Sequence, residues 1–338
     1  MEEESYENSF KRNKFGRSIN CRLLRRIYFK NMSIFKKLKN KFVKMKEKDI
    51  PAEKDIQIMT EKNLNEIFGL DYISSEFTIN NLRIDTLCFD VENNSFVIIE
   101  YKKDRSFSVI DQGFAYLALL LNNKAEFLLK YNEVKNKYLN RENINWSQSK
   151  IIFVAPFFTS YQKAAINFKN LPFELWEIKY YEEGLIGYEK IEPLESSEKI
   201  ETITGNKFMK GIVKDVKPYD LEWHLKRGSD KTKNIFYNLR EKIIELGDIK
   251  EKYLQLYVGY NINASHINFC SIHFYKKKIE VFILVSDTKL SDPKRMVKKV
   301  PKSYGWAKNL KFFDVFSEKD IPYAMTLIEQ SYEFNKNR

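Results

Sequence analysis

The sequence predicts an α/β protein: a mixed sheet flanked by helices, followed by a smaller α+β domain. Three observations carry this. β-prone apolar runs alternate with segments of helical period from Pro51 to Glu192, a stretch rich in Pro, Gly and Ser follows, and a second set of helix, strand and hairpin patterns begins near Lys231. The 338 residues are enough for two such domains, each with its own core. The organisation read from this is a basic tail over 1–50, a first domain over 51–192, a linker over 193–230 and a C-terminal α+β domain over 231–338.

Taken in order, a helix begins at Asp49 or Pro51 and runs through Phe68 to stop at Gly69. Ile56, Met59, Leu64, Ile67 and Phe68 gather on one arc of it, and Glu53 falls within that arc. Arg83 to Phe89 is an apolar β-prone run, Val91 to Ser95 an Asn-rich turn, and Phe96 to Tyr101 a second strand. Ser108 to Leu121 reads as a helix, Ala125 to Tyr131 as a strand, and Lys150 to Ala155 as a strand. Thr159 caps a helix through Phe168. Phe173 to Tyr180 and Leu185 to Glu192 form a strand pair around Gly184.

The linker reading rests on Pro193, Ser196, Ser197, Gly205, Gly211, Pro218 and Gly228, with Phe208 and Trp223 as points that dock on a neighbour. Beyond it, Thr232 opens an amphipathic helix that stops at Gly247, and Tyr253 to Tyr260 reads as a strand. Ile267 to Phe274 and Ile279 to Val285 make a hairpin around Lys276, Lys277 and Lys278. A final helix runs from about Glu318 to Tyr332. His266 and His273 read as ordinary strand residues, and Trp306 as a core residue or an interface anchor.

The net charge of +12 is unevenly placed. Residues 1–50 hold 15 Lys or Arg against 6 Asp or Glu, so +9 of it lies in the tail. Its cations include Arg17, Arg22, Arg25, Arg26, Lys36, Lys37, Lys39, Lys41, Lys44, Lys46 and Lys48. Such an arm either binds phosphates by counterion release or is simply solvated. Met32 is a candidate start, which would make the first 31 residues dispensable, and no early apolar run forms a signal peptide. Cys21, Cys88 and Cys270 are too scattered for a disulfide framework or a zinc site, which fits a reducing cytoplasm. No apolar run approaches the ~20 residues of a membrane-spanning helix.

The chemistry concentrates in the hairpin from Asn81 to Tyr101. Asp85 lies inside its first strand and Glu100 near the end of its second, and a carboxylate in a buried strand is costly unless a positive group meets it. Lys102, two residues after Glu100, shares its face of the strand. Two acids and a lysine on one sheet face suit a divalent metal beside a phosphodiester.

Asp85 followed by Glu100-Tyr101-Lys102 resembles the core of the PD-(D/E)XK nuclease superfamily, and more closely its NucS-like branch, over roughly residues 51–193. Gln112 and Tyr116, one helical turn apart, match the Gln and Tyr that branch carries after the lysine, while Ile84 stands where the name of the superfamily calls for Pro. The resemblance implies a restriction-endonuclease-like sheet and metal-dependent hydrolysis of DNA, in repair, restriction or phage defence. It implies Mg²⁺ or Mn²⁺ on Asp85 and Glu100, with the Tyr101 carbonyl as a further ligand. It also selects Glu53 over Glu61 as the active-site acid of the first core helix; the plainer alternative for Glu53 is an acid complementing the helix dipole.

Lys102 would hold the attacking water or the scissile phosphate, with a lowered pKa near a metal. Gln112 and Tyr116 would line the phosphate path, Lys103 and Arg105 would touch the backbone, and Arg83 would support one of the acids. Lys294 to Lys299 reads as a solvated charge run or a phosphate contact. The C-terminal domain resembles a small module often appended to such nucleases and is a candidate homodimer interface. The competing expectation keeps the fold without the chemistry: a silent nucleic-acid-binding or protein-interaction module.

Overall fold

The computed structural model describes residues 33–49, 52–103, 108–136, 138–166, 171–192, 216, 219–262, 265–300 and 309–336. Arg105, Trp306, residues 1–32 and most of 193–218 therefore lie outside the described residues. Those described fall into two compact units. One comprises 33–48 with Tyr180–Leu185, and the other holds everything else.

The first unit is a short ribbon within the stretch read as a tail. Strand β1 (Phe35–Leu38) and strand β2 (Lys41–Lys44) pair antiparallel around Lys39 and Asn40. An isolated bridge joins Glu47 to Tyr181.

The second unit starts with helix α1 (Glu53–Lys62) and helix α2 (Leu64–Phe68), where one continuous helix was expected. The break falls at Asn63. Its side-chain amide donates to Met59 O at 2.8 Å, and such a short polar side chain competes with the helix for its own backbone. Gly69 ends α2 in the left-handed region with φ 67°, as the sequence predicts.

Six strands then form the first sheet in the order β3-β4-β5-β6-β7-β8. These are β3 (Asp71–Ile79), β4 (Leu82–Asp90), β5 (Ser95–Tyr101), β6 (Lys150–Ala155), β7 (Phe173–Tyr180) and β8 (Ile186–Ile191). β3, β4 and β5 are antiparallel neighbours, whereas β5, β6 and β7 run parallel, so the sheet is mixed as predicted. β3 has no counterpart in the sequence reading, since its polar centre, Ser74 to Glu76, hides the alternation.

Helices α3 (Val109–Asn122) and α4 (Lys124–Lys135) connect β5 to β6. Ala125 to Tyr131, expected as a strand, belongs to α4. A short apolar run does not distinguish the two periods, and Phe127 and Tyr131, four apart, are the residues that α4 buries. One face of the sheet (Leu87, Phe89, Phe96, Ile98, Phe153, Leu175) packs against Phe114, Leu117 and Leu120 of α3 and against Phe127 of α4. The opposite face carries Thr86 and Tyr101 toward α1, where Glu61 accepts the Thr86 hydroxyl at 2.6 Å. A short helix α5 (Ser160–Ala165), capped by Thr159, precedes β7.

Helix α6 (Leu221–Leu225), capped by Asp220, lies within the region read as linker, and α7 (Asp230–Glu245), capped by Ser229, follows it. The second sheet has the order β13-β14-β12-β11-β10-β9 and is antiparallel throughout. Its strands are β9 (Ile249–Tyr253), β10 (Val258–Ile262), β11 (Asn268–Phe274), β12 (Ile279–Leu284), β13 (Lys298–Lys299) and β14 (Leu310–Val315). The strand expected over Tyr253 to Tyr260 is in fact a hairpin. Leu254 N–H donates to Tyr257 O at 3.0 Å, and Val258 pairs back on Tyr253. His266 lies just before β11 rather than in it, with its ring against Glu66 O.

Helix α7 and the final helix α8 (Ile321–Lys336) cover one face of this sheet through Phe236, Leu239, Leu327 and Ile328. Among the described residues no helix is long and apolar enough to cross a membrane.

The turn between β4 and β5 also reaches the second sheet. Glu92 there forms an ion pair with Lys252 at 2.8 Å and accepts hydrogen bonds from the Tyr257 hydroxyl at 3.2 Å and from the Asn268 amide. The hairpin that carries the acids is thus gripped at its closed end.

Candidate active site

β4 departs from regular geometry at Asp85. Ile84 and Leu87 both enter the core under α3, although residues three apart on a flat strand face opposite sides. Opposite Asp85, between the pairs Phe77–Ile84 and Ser75–Thr86, Glu76 adopts a left-handed φ of 53°. The Asp85 carbonyl accepts the side-chain amide of Gln57, on α1, at 2.7 Å. Its carboxylate accepts the backbone N–H of Tyr101 at 3.0 Å, which brings it to the end of β5.

Glu100 stands on the α3 face of β5 and is almost wholly buried. Its Oε1 accepts Lys102 Nζ at 2.6 Å and Gln112 Nε2 at 2.7 Å. Gln112 also reaches the Tyr116 hydroxyl at 3.3 Å, and that hydroxyl donates to Arg83 O at 3.1 Å. Gln112 and Tyr116, expected along a phosphate path, here orient Glu100 and brace the strand that carries Asp85. Gly113 lets α3 come this close: a Cβ there would sit 2.6 Å from the Phe173 ring.

The electrostatics follow from burial and crowding. Burial, reinforced by the Asp85 charge, pushes the Glu100 carboxyl up to about 7 against the pull of Lys102. Burial also raises Asp85, with Glu53 and Glu76 adding to it, against the Tyr101 N–H and Lys102. Burial pulls Lys102 down, but its bond to Glu100 and the charges of Glu100, Glu53 and Asp85 together outweigh this, so its pKa is raised. Without a metal the three acidic charges therefore outweigh burial, whereas the lowering expected for Lys102 belongs to the metal-bound site.

Glu53 is the first residue of α1, and its carboxylate accepts the Lys103 N–H at 3.0 Å. It therefore borders the site, and its charge is felt by both Asp85 and Lys102. Tyr101 turns its phenol to the opposite face of the sheet, where it is fully buried with its hydroxyl 3.3 Å from that of Thr86. Arg83 points its guanidinium at Glu76, with Nε 2.8 Å from the carboxylate, and Lys54 pairs with the same acid. Lys103 is exposed beside the site.

Two residues absent from the sequence reading belong to this arrangement. Gln57, buried on α1, donates to Asp85 O, to Ser75 Oγ at 3.0 Å and to Glu61 at 3.0 Å, so it fixes the irregular turn of β4. The signal that could have found it was its place four residues after Glu53, on the same face of the helix. Glu76 could be found only through its left-handed backbone.

Among the described residues no three His, Cys, Asp or Glu side chains converge closely enough to hold a metal between them. The donors nonetheless fit a hard divalent ion. Glu100 Oε2 is buried without a hydrogen-bond partner, the Asp85 charge acts on the same carboxylate, and Mg²⁺ is ordinarily held by one or two carboxylates with water and substrate oxygens completing its shell.

No family model matches the chain. Solved structures similar to part of it include EndoMS in its apo form, at 20% identity over 38% of this chain and 48% of that one, with a TM-score of 0.26. A repair endonuclease from Pyrococcus abyssi is similar at 19% identity over 39% of this chain and 50% of that one, with a TM-score of 0.23. An EndoMS–DNA complex gives 17% identity over 40% and 50% of the two chains, with a TM-score of 0.23. The chain thus spans about half the length of these solved proteins. An uncharacterized protein of Haemophilus influenzae is 36% identical over 302 residues, which is 89% of this chain and 99% of the relative. With that identity over nearly the whole of both chains, the protein belongs to the same family as the Haemophilus influenzae protein.

Proposed function

We propose that the protein is a metal-dependent endonuclease that hydrolyses DNA phosphodiester bonds, with Mg²⁺ or Mn²⁺ as its cofactor. The observation that carries this reading is the contact of Lys102 with Glu100, whose second oxygen is buried and unpartnered, beside Asp85. Asp85, Glu100 and the Tyr101 carbonyl would hold the ion, and Glu53 would orient a water at the rim. The bound cation would acidify water and offset the charge growing on phosphorus.

The chain's own groups divide the remaining work. Lys102, kept protonated by its acidic neighbours, serves as a cation for the scissile phosphate rather than as a base. If a phosphate draws Lys102 away from Glu100, Oε1 would keep its bond from Gln112 and Oε2 would stay open to the site. Gln112 holds Glu100 in place, and Gln57 holds the backbone that aims Asp85. Lys103, Arg105 and Arg83 are the candidates for contacts along the DNA backbone. Hydrolysis adds water to phosphorus and breaks one P–O bond, and the leaving oxygen takes up a proton. The enzyme would work in the cytoplasm, where Cys88 and Cys270, both buried and free, stay reduced.

The lack of a three-acid cluster among the described residues favours a second reading, a nuclease-like fold that binds nucleic acid or protein without cutting. Incubation of single-stranded, duplex and branched DNA with each ion separates the two. The nuclease reading requires cuts that need the divalent ion and vanish in folded Asp85→Ala protein, whereas DNA bound but never cut establishes the silent module.

A further inference from the structure

The β1–β2 ribbon has no role in the chemistry above, and its surface is unusual. All eight strand residues are exposed, including Phe42 at 72% and Phe35 at 52%. Among them and the intervening turn are five lysines: Lys36, Lys37, Lys39, Lys41 and Lys44. Lys36 pairs with Glu183, but Lys37, Lys39, Lys41 and Lys44 meet no carboxylate among the described residues. Two short strands with four uncovered apolar side chains gain little by folding alone.

The register decides what can cover them. Phe35 pairs with Lys44 and Lys37 with Phe42, so one face carries two rings and two ammonium groups. Lys36 pairs with Val43 and Leu38 with Lys41, which gives the other face two aliphatic side chains and two lysines. Neither face is apolar throughout, so the ribbon presents no side to bury in lipid. A second ribbon would oppose its own charge. The surface that matches rings alternating with cations is a polyanion bearing flat apolar groups, and a two-stranded ribbon fits the roughly 12 Å major groove of duplex DNA.

We propose that this ribbon is a DNA-binding element, with Lys37, Lys39, Lys41 and Lys44 on phosphates and Phe42 against the sugar and base edges. The choice of DNA as the polyanion rests on the nuclease reading, while the binding itself does not depend on cleavage.

The test is fluorescence anisotropy of the full chain with a labelled 30-base-pair duplex in chelator, across a salt series. The fourfold variant Lys37→Gln, Lys39→Gln, Lys41→Gln and Lys44→Gln keeps a polar side chain at each position and removes the charge. Each phosphate left without its lysine makes the slope of log affinity against log salt shallower by about 0.9. The expected result is a slope shallower by about 2–4, with at least tenfold weaker binding at 0.1 M salt. Phe42→Ala should weaken binding several-fold with the slope unchanged. Wild-type affinity and slope in both variants would overturn the proposal, as would tighter binding to phosphatidylserine vesicles than to the duplex. A protein that loses DNA with its lysines yet cuts nothing when a metal is supplied upholds the ribbon and refutes the nuclease reading.

Discussion

The Lys102 ammonium lies 2.6 Å from Glu100 Oε1, two residues earlier on the same face of the chain, and Gln112 donates to that same oxygen from α3. The pair joins the sheet to the helix that follows it and leaves the second carboxylate oxygen of Glu100 free of any bond. Glu100 is also the most perturbed acid of the site, and its titration gives the first prediction.

With its carboxyl raised to about 7, Glu100 binds a proton more tightly in the folded than in the unfolded chain. Its contribution to stability is therefore complete below the ordinary carboxylate range, near 4.5, and is lost as pH rises through about 7. The shift corresponds to roughly 3 kcal/mol. In chelator at pH 8, Glu100→Gln should melt above the wild type. Added Mg²⁺ should raise the wild-type melting temperature but not that of the variant, and wild-type metal affinity should fall as pH drops below 7. Thermal melts with and without metal, with calorimetric titration at pH 6 and pH 8, check all three.

Gln57 should matter more than its distance from any reacting atom suggests. Gln57→Leu leaves the part-buried Asp85 O without its donor, a loss of about 1 kcal/mol in stability. Freed of that hold, Asp85 should lose aim, and cleavage and metal affinity should drop about 10–100-fold with the fold retained. Gln57→Glu, which places an acceptor against that carbonyl, should be at least as damaging. Equal activity in both variants and the wild type would remove Gln57 from the site.

Glu92 ties the closed end of the same hairpin to the second sheet through Lys252, Tyr257 and Asn268. Glu92→Ala strands three donors and should cost about 1–3 kcal/mol. Denaturant unfolding should show the lower midpoint, and hydrogen exchange should quicken at both Glu92 and β9. If only one of the two sheets responds, the tie does not couple them.

His273 gives a prediction in the acid range. It lies between Tyr257 and Phe282, and burial, with Arg227 and His224 adding to it, lowers its pKa to about 3. A part-buried base kept neutral contributes stability above its unfolded pKa of 6.5 and loses it as pH falls toward the folded value. The wild type should therefore lose stability steadily between pH 6.5 and pH 4, and His273→Phe should flatten that loss. Melting curves through this range settle it. His224, lowered by burial to about 4, should account for part of what remains.

Much of this arrangement was legible in the sequence, for identifiable reasons. Asp85 and Glu100 stood out as acids in apolar strands, and Lys102 followed at the spacing that shares a face. Lys102 bonds Glu100 as that spacing requires, and the Asp85 charge acts on both. Gln112 and Tyr116 came through the resemblance, and the structure puts both against Glu100 or its partners. Hidden were the features that need tertiary context. The irregularity at Asp85 follows from pairing with β3, a strand whose polar centre conceals it. Ala125 to Tyr131 carries too few residues to separate helix from strand, and the charged Ile249 to Tyr253 edge strand lacks the apolar signature of a buried one. The ribbon at Phe35 to Lys44 was masked by its own charge.

The most direct test of the account is the single-turnover rate of duplex cleavage with Mn²⁺, wild type against Lys102→Ala, with both proteins shown to be folded and to bind the duplex equally. Loss of the cation should slow cleavage by at least about 10²-fold, on the scale of removing one charge-stabilising donor from an active site. A Lys102→Ala protein that cuts at the wild-type rate would contradict the assignment of these residues to catalysis.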